Sequence, residues 1–316
     1  MLTYVIRRVL IAIPVLFGIT IMNFVIINLA PGNPVDMYMT PDTPPELLEL
    51  RKEQLGLNDP IIVQYFKWLG QLLSGNLGYS FSTSESVGSL IGERLGQTML
   101  LGIAALILGL LIALPIGIMS AVKQNSKFDY LMTGLSFVGT SIPQFFLGLL
   151  CIYIFAVQLG WLPVGGTETL GGGGGLGDRL WHMVLPSIAL AVGIAGRKVR
   201  YIRASMLDVL KQDYLRTARA KGLKEFIVTN KHALRNALIP VITVVGMEIP
   251  MLFGGAVIVE QLFQWPGIGQ LTIQSILSRD YSTIMGLNLV AAIVVLGANL
   301  LTDIFYSVAD PRIKYH

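Results

Sequence analysis

Met183-Val184-Leu185-Pro186-Ser187-Ile188-Ala189-Leu190-Ala191-Val192-Gly193-Ile194-Ala195-Gly196 is an apolar run that ends at once on Arg197-Lys198-Val199-Arg200. Crossing hydrocarbon takes about 20 mostly apolar residues. By length alone the run is either a re-entrant or interfacial piece, or the centre of a helix from Leu180 to about Tyr201. The surrounding charges arbitrate. Five longer apolar runs flank it: Val9 to Ala30, Thr98 to Val122, Tyr130 to Leu159, Ala237 to Phe263 and Ile284 to Val308. Lys and Arg accumulate on the cytoplasmic side of membrane chains. With six crossings and a cytoplasmic start, segments 1–8, 123–129, about 197–236 and 309–316 lie inside and hold 17 of the 23 Lys and Arg. Omitting the fourth crossing would put the block from Arg197 to Arg235, with its 11 basic residues, outside. The expected fold is an all-α membrane protein with six transmembrane helices and both termini cytoplasmic.

Composition agrees. Of 316 residues 53% are hydrophobic and 13% charged, about half the charged share of a soluble domain. A net charge of +4 is too small for a nucleic-acid-binding surface, so no nucleic-acid partner is expected. Cys151 is the single cysteine and cannot form an internal disulfide; with three histidines it leaves little material for a metal site. An intramembrane enzyme needs a nucleophile and base at depth, or His-Glu-x-x-His. His182, His232 and His316 lie at a span end, in a loop and at the terminus. No catalytic residue and no metal ligand is assigned. Arg7 and Arg8 before the first run resemble the start of a secretory signal, but the run exceeds a signal's apolar core and Leu29-Ala30-Pro31-Gly32 is a poor cleavage site.

Three regions follow: residues 1–30 with the first span, an extracytoplasmic segment 31–97 with short amphipathic helices, and a five-helix core 98–316 containing a cytoplasmic loop at about 202–236. In the outer segment Thr43 precedes Pro44-Pro45-Glu46, and Asp59-Pro60 opens a second helix that Gly75 closes. Ile62, Tyr65, Phe66, Leu69, Leu72 and Leu73 form one stripe there, which is either a docking platform or a face resting on the membrane. Gly171 to Gly175 reads as a tether.

In the cytoplasmic loop Met206, Leu207, Leu210, Tyr214 and Ala218 share a helical face that ends at Gly222, and Leu223, Phe226, Ile227 and Leu234 begin another. Ala218, Ala220 and Gly222 are small, with Arg219, Lys221 and Lys224 around them. The turn is a knob for another protein, a basic face on anionic lipid, or a plug on the chain's own helices. Within the membrane Glu248, just before Pro250, is the deep acid; it faces either a translocation cavity or a neighbouring helix. Thr140, Ser141 and Gln144 flank Pro143 and either line a path or satisfy backbone groups the proline frees. Glu260 and Asp303 lie nearer span ends, where water or headgroups are expected to reach them.

Asp213-Tyr214-Leu215-Arg216-Thr217-Ala218-Arg219-Ala220-Lys221-Gly222-Leu223, followed by His232-Ala233-Leu234-Arg235-Asn236-Ala237-Leu238-Ile239-Pro240, resembles the cytoplasmic loop of dipeptide/oligopeptide ABC-importer permeases. Leu29-Ala30-Pro31-Gly32-Asn33-Pro34, Leu55-Gly56-Leu57-Asn58-Asp59-Pro60, Gly139-Thr140-Ser141-Ile142-Pro143-Gln144-Phe145-Phe146-Leu147-Gly148 and Val259-Glu260-Gln261-Leu262-Phe263-Gln264-Trp265-Pro266-Gly267-Ile268-Gly269 extend the likeness to that family's first permease subunit. The general importer pattern is Glu-Ala-Ala, three residues, Gly, nine residues, Ile-x-Leu-Pro. Ala218, Gly222 and Leu234 match it, whereas Arg216-Thr217 replace Glu-Ala, His232 stands for Ile and Arg235 for Pro.

The resemblance implies a type I ABC-importer permease in the plasma (inner) membrane of a bacterium or archaeon. Arg216, Thr217, Ala218, Arg219, Ala220, Lys221, Gly222 and Leu223 would form the loop coupling it to two ABC ATPase subunits on the cytoplasmic side. A second homologous permease and an extracytoplasmic solute-binding protein would complete the complex, with peptides as cargo. This chain has no Gly-x4-Gly-Lys-Ser/Thr loop. It is therefore expected to bind no cofactor, with ATP and magnesium on the partner ATPases. A self-contained secondary transporter or channel is the alternative; it would need paired intramembrane acids and inverted halves, and Glu248 is the only deep acid.

Overall fold

A computed structural model describes residues 2–29, 58–169, 174–246 and 256–309, with the isolated positions 44, 46, 53, 171 and 248. The helix expected after Thr43, the Pro250 region within the fifth apolar run and residues 310–316 lie outside the described residues. In chain order the helices are α1 (Leu2–Leu29), α2 (Ile61–Leu73), α3 (Val87–Val122), α4 (Lys127–Ser141), α5 (Gln144–Cys151), α6 (Leu176–Leu210), α7 (Asp213–Ala220), α8 (Glu225–Ile227), α9 (Leu234–Gly246), α10 (Val257–Leu262), α11 (Ile268–Leu277) and α12 (Tyr281–Ala309). Residues 152–158 and 228–233 continue α5 and α8 with π-helical geometry. The chain divides into two units, residues 1–96 with 270–297 and residues 97–269 with 298–316.

In the larger unit α6 is the hub. Its 35 residues, at about 1.5 Å each, outrun the span expected from Leu180 to Tyr201. Within the chain 67% of its apolar window is buried, against 17% to 28% for the other long apolar helices. Lipid supplies no hydrophobic force between helices, so they associate where small residues let backbones approach. On α3, Ala105, Gly109, Ala113, Gly117 and Ala121 recur every four residues. A Cβ at Gly117 would stand 2.8 Å from Ile202 and 3.0 Å from the Val199 carbonyl oxygen. Two apolar cores result. Leu101 and Ala105 pack with Leu185, Ala189 and Ile194 in one, and Ala113 and Ala121 with Val199, Ile202 and Met206 in the other.

The third apolar run, expected as one span, is bent by 100° between α4 and α5. Pro143 has no N–H and disfavours helical backbone at the residue before it; Ile142 is extended, with φ −71° and ψ 124°. The start of α4 is fixed to α6 by Asp129, only 1% exposed, which accepts two 2.6 Å bonds from Arg203.

Glu260, expected within reach of water or headgroups, is instead fully buried. Its carboxylate accepts hydrogen bonds from Thr98 Oγ1 and the Gly269 N–H, both 2.7 Å, and Thr98 Oγ1 in turn accepts from the Ile268 N–H at 2.8 Å. The Gln264-Trp265-Pro266-Gly267 turn is thereby wrapped around one acid.

In the smaller unit, the stripe on α2 turns only partly inward. Tyr65 packs edge-on against Phe24, and its hydroxyl lies 2.9 Å from Thr20 Oγ1; Ile62, Phe66 and Leu73 are exposed. Asp280, before α12, is 1% exposed and accepts from Ser80 and Ser82 hydroxyls, the Phe81 N–H, and the Thr283 N–H and hydroxyl. Burial works against its ionisation, but the donors from Ser80, Phe81 and Thr283 outweigh it and hold the carboxyl below its ordinary pKa. A lowered folded pKa stabilises the protein above the unfolded value, and that contribution is lost as pH falls through the folded one. Asp280→Asn should cost about 1–3 kcal/mol, read as a lower Tm in detergent at neutral pH, with the gap to wild type closing below the ordinary carboxylate range; equal Tm at neutral pH would contradict this role. Gly117→Val should likewise lower Tm by overpacking, about 1–3 kcal/mol, and an unchanged Tm would count against the α3–α6 contact.

Candidate functional site

The cytoplasmic loop read from the sequence is α7, a turn and α8, folded onto the chain's own core. α6 ends at Leu210, and Lys211 and Gln212 break the helix before α7 starts. The break resets the helical register, so the inward residue is Leu215, fully buried, and Tyr214 is half-exposed. Extrapolating one face from Met206 through Tyr214 missed this. The hydroxyl of Tyr214 accepts from Asn236 Nδ2 at 2.7 Å. Ala218, expected to approach a partner, is 9% exposed and joins Leu215, Met206 and Val228 in the chain's own apolar cluster.

Gly222 stops α7 with φ +77°, a backbone region that other residues enter at a cost. Its N–H donates to Arg219 O at 2.9 Å. Beyond the turn, Arg219 grips Glu225 through Nη2–Oε1 at 2.8 Å and Nε–Oε2 at 3.1 Å. The bond to Arg219 lowers the Glu225 pKa and raises that of Arg219. Both groups are solvated, so the pair shapes the turn more than it stabilises the fold.

Arg216, Thr217, Arg219, Ala220, Lys221, Gly222 and Leu223 are all exposed. Phe226, read from the sequence as starting a second helical face, is 77% exposed, because α8 is one short turn and the chain's inward contacts fall on Val228 and Ala233 of the π-helical segment. The result is an apolar tip of Leu223 and Phe226 beside Lys221 and Lys224. The matches to the importer pattern, Ala218, Leu234 and Gly222, are two inward packing positions and the turn. Arg216 and Arg235, which depart from it, point outward.

Of the intramembrane candidates, Glu248, Gln144 and Thr140 lie against α6. Glu248 is 7% exposed, and its Oε1 takes a 2.7 Å bond from Lys198 Nζ. Lys198, counted with the cytoplasmic charges in the sequence, is 1% exposed and also donates to Val244 O at 3.0 Å. Arg197 Nη2 lies 3.5 Å from Glu248 Oε2. Gln144 Nε2 comes within 3.4 Å of where a Gly193 Cβ would stand. Thr140 spends its hydroxyl on Ser136 O and Phe137 O at 3.1 and 3.0 Å, and Ser141 is exposed at the bend. The ion pair was missed because Lys198 stands at the edge of a charge block and Glu248 lies 50 residues away.

The family described as "Binding-protein-dependent transport system inner membrane component" matches residues 113–315, and its N-terminal companion matches residues 1–102. The chain is 48% identical over 316 residues to the oligopeptide transport system permease protein AppB of Bacillus subtilis, covering all of both chains. It is 43% identical to the dipeptide transport system permease protein DppB of Alkalihalophilus pseudofirmus and 37% to the glutathione transport system permease protein GsiC of Escherichia coli K12, again over the full length of each. Among solved structures, an inward-facing MetNI methionine ABC transporter matches with a TM-score of 0.58 at 18% identity, covering 70% of this chain and 96% of that one. That likeness concerns the fold.

The turn geometry can be tested directly. Gly222 has open space around it but a left-handed backbone, so Gly222→Asn should be tolerated, while Gly222→Val should cost about 1–2 kcal/mol. Hydrogen exchange over residues 217–227 should rise in the valine variant and stay near wild type in the asparagine variant; equal exchange in the two would contradict the turn assignment.

Proposed function

The chain belongs to the family of binding-protein-dependent transport system inner membrane components, and from that premise we propose that it is the permease subunit of an ATP-driven peptide importer. It forms half of a translocation pathway and is completed by a second, homologous permease. Peptide cargo follows from the names of the full-length relatives, which are oligopeptide, dipeptide and glutathione permeases. An extracytoplasmic binding protein delivers the cargo, and two ABC ATPases on the cytoplasmic face hold ATP and magnesium. Both termini and the loop after α6 lie in the cytoplasm of a bacterial or archaeal cell. The family assignment favours this reading over a self-contained transporter or channel.

The observation that carries the coupling role is the exposed Leu223–Phe226 tip seated on a buried base. A lone apolar tip flanked by cations suits insertion into a partner's groove better than a solvated end. Leu215, Ala218 and Met206 tie its base into the core that also holds Ile202 and Ala113. A displacement of the tip therefore moves α6. Closure of the ATPases on ATP would bring two such loops together and exchange inward-open for outward-open helices.

Reconstituted with its companion permease, ATPases and binding protein, the Phe226→Asp variant should insert in the membrane at wild-type levels. Its cargo-stimulated ATP hydrolysis should fall about tenfold or more, as expected for an interface anchor of ~1.4 kcal/mol or above. Full stimulation in that variant would overturn the coupling role, and purification of the chain without ATPases from its native membrane would overturn the importer reading.

A further inference from the structure

Gln144 and Arg197 reach the same spot from two helices. Above Gly193, Gln144 Nε2 and Arg197 Nη1 lie 3.4 and 3.8 Å from a single point, the position a Cβ would occupy there. The Gln144 amide makes no hydrogen bond among the described residues. The Arg197 side chain is 43% exposed, although it stands on the most buried long helix of the chain.

The ion pairs around this spot are unequal. Glu248 is held on Oε1 by Lys198 at 2.7 Å and touched on Oε2 by Arg197 only at 3.5 Å. The first distance is that of a charge-assisted hydrogen bond and the second is too long for one. Arg197 can leave Glu248 without stranding a buried charge, because Lys198, itself 2% exposed at the side chain, remains as the counter-ion. Among the described residues Arg197 and Lys198 share one carboxylate, Glu248, and Arg200 lies one turn further on, its guanidinium 4.5 Å above the Phe137 ring and its buried Nε without a hydrogen-bond partner there. A guanidinium and a primary amide both carry N–H donors of the kind that bind a carboxylate.

We propose that Gln144 and Arg197 form a carboxylate-binding subsite for peptide cargo, with Glu248 holding Arg197 until the cargo's carboxylate displaces it. The inference rests on the reading of this chain as half of a peptide pathway. It gives a role to Gln144 and Glu248 together. The pathway would grip a peptide by its C-terminal carboxylate, and Glu248 would reclaim Arg197 on release.

The test compares uptake of trialanine and its C-terminal amide by proteoliposomes holding the complete complex. The binding protein has its own preference, but it is the same in every variant, so a change in the ratio of the two uptakes reports on the permease. Arg197→Gln should reduce the preference for the free carboxylate about tenfold, the equivalent of one charge-assisted hydrogen bond, and Arg197→Lys should restore part of it. Gln144→Leu should act in the same direction and serves if Arg197→Gln fails to assemble. A ratio unchanged in Arg197→Gln and Gln144→Leu, with trialanine still transported, would overturn the subsite and leave the peptide reading standing. Failure of the wild-type complex to transport either peptide would overturn the peptide reading and the subsite with it.

Discussion

Close backbone contact between α3 and α6 is the constraint on which the larger unit depends. Within a bilayer the lipid tails are as apolar as leucine, so helix association rests on packing and on satisfied polar groups. The small residues at positions 105, 109, 113, 117 and 121 of α3 let α6 approach until a single added carbon at Gly117 would collide with Val199 and Ile202. α6 then serves as the surface for α4, α5, α9 and α10. Its own apolar residues divide into two cores, one around Leu185 and Ile194 and one around Ile202 and Met206. Arg197 and Lys198 fall between them.

That division explains the ion pair. A lysine between two dry cores is costly unless it is paired and hydrogen-bonded, and Lys198 meets both conditions through Glu248 and the Val244 carbonyl. Arg197, one residue earlier on a helix that turns 100° per residue, points to a different side and keeps half of its surface. Two adjacent cations thus differ in what they are free to do. The core around Ile202 and Met206 continues past the end of α6 into Leu215 and Ala218, so the loop after α6 is anchored to the helix packing through those two residues while most of its other side chains are exposed.

Much of this was legible in the sequence. Pro60 and Gly75 bracket α2 as expected, since proline suits a helix start and a glycine at φ +83° suits its end. Gly222 was identified as the turn and has the left-handed backbone that only glycine adopts readily. The resemblance in the loop and the span-end motifs identified the family, and the full-length matches agree. Other features were hidden. A two-residue break at Lys211 and Gln212 shifted the inward face from Tyr214 to Leu215, which periodicity cannot see because it assumes an unbroken helix. The 100° bend at Pro143 left no trace in hydropathy, since a bent pair is as apolar as a straight span. Glu260 read as an acid near a span end and Asp280 drew no reading at all, and their burial depends on donors from Thr98 and Ser80, 162 and 200 residues away.

The amino-acid sequence by itself determined that this chain lies in a membrane, where its apolar runs begin and end, and which loop carries the basic turn that resembles the importer motif. These are properties of local composition and short spacing, and they survive without any neighbour. Only the tertiary structure decided which polar groups are paired and which are available. Lys198 closes on Glu248 while Arg197 stays half open, and Ala218 turns inward while Phe226 turns out. Those outcomes depend on how α6 is rotated against α3, α4 and α9, and a rotation of one residue would exchange the buried cation for the exposed one.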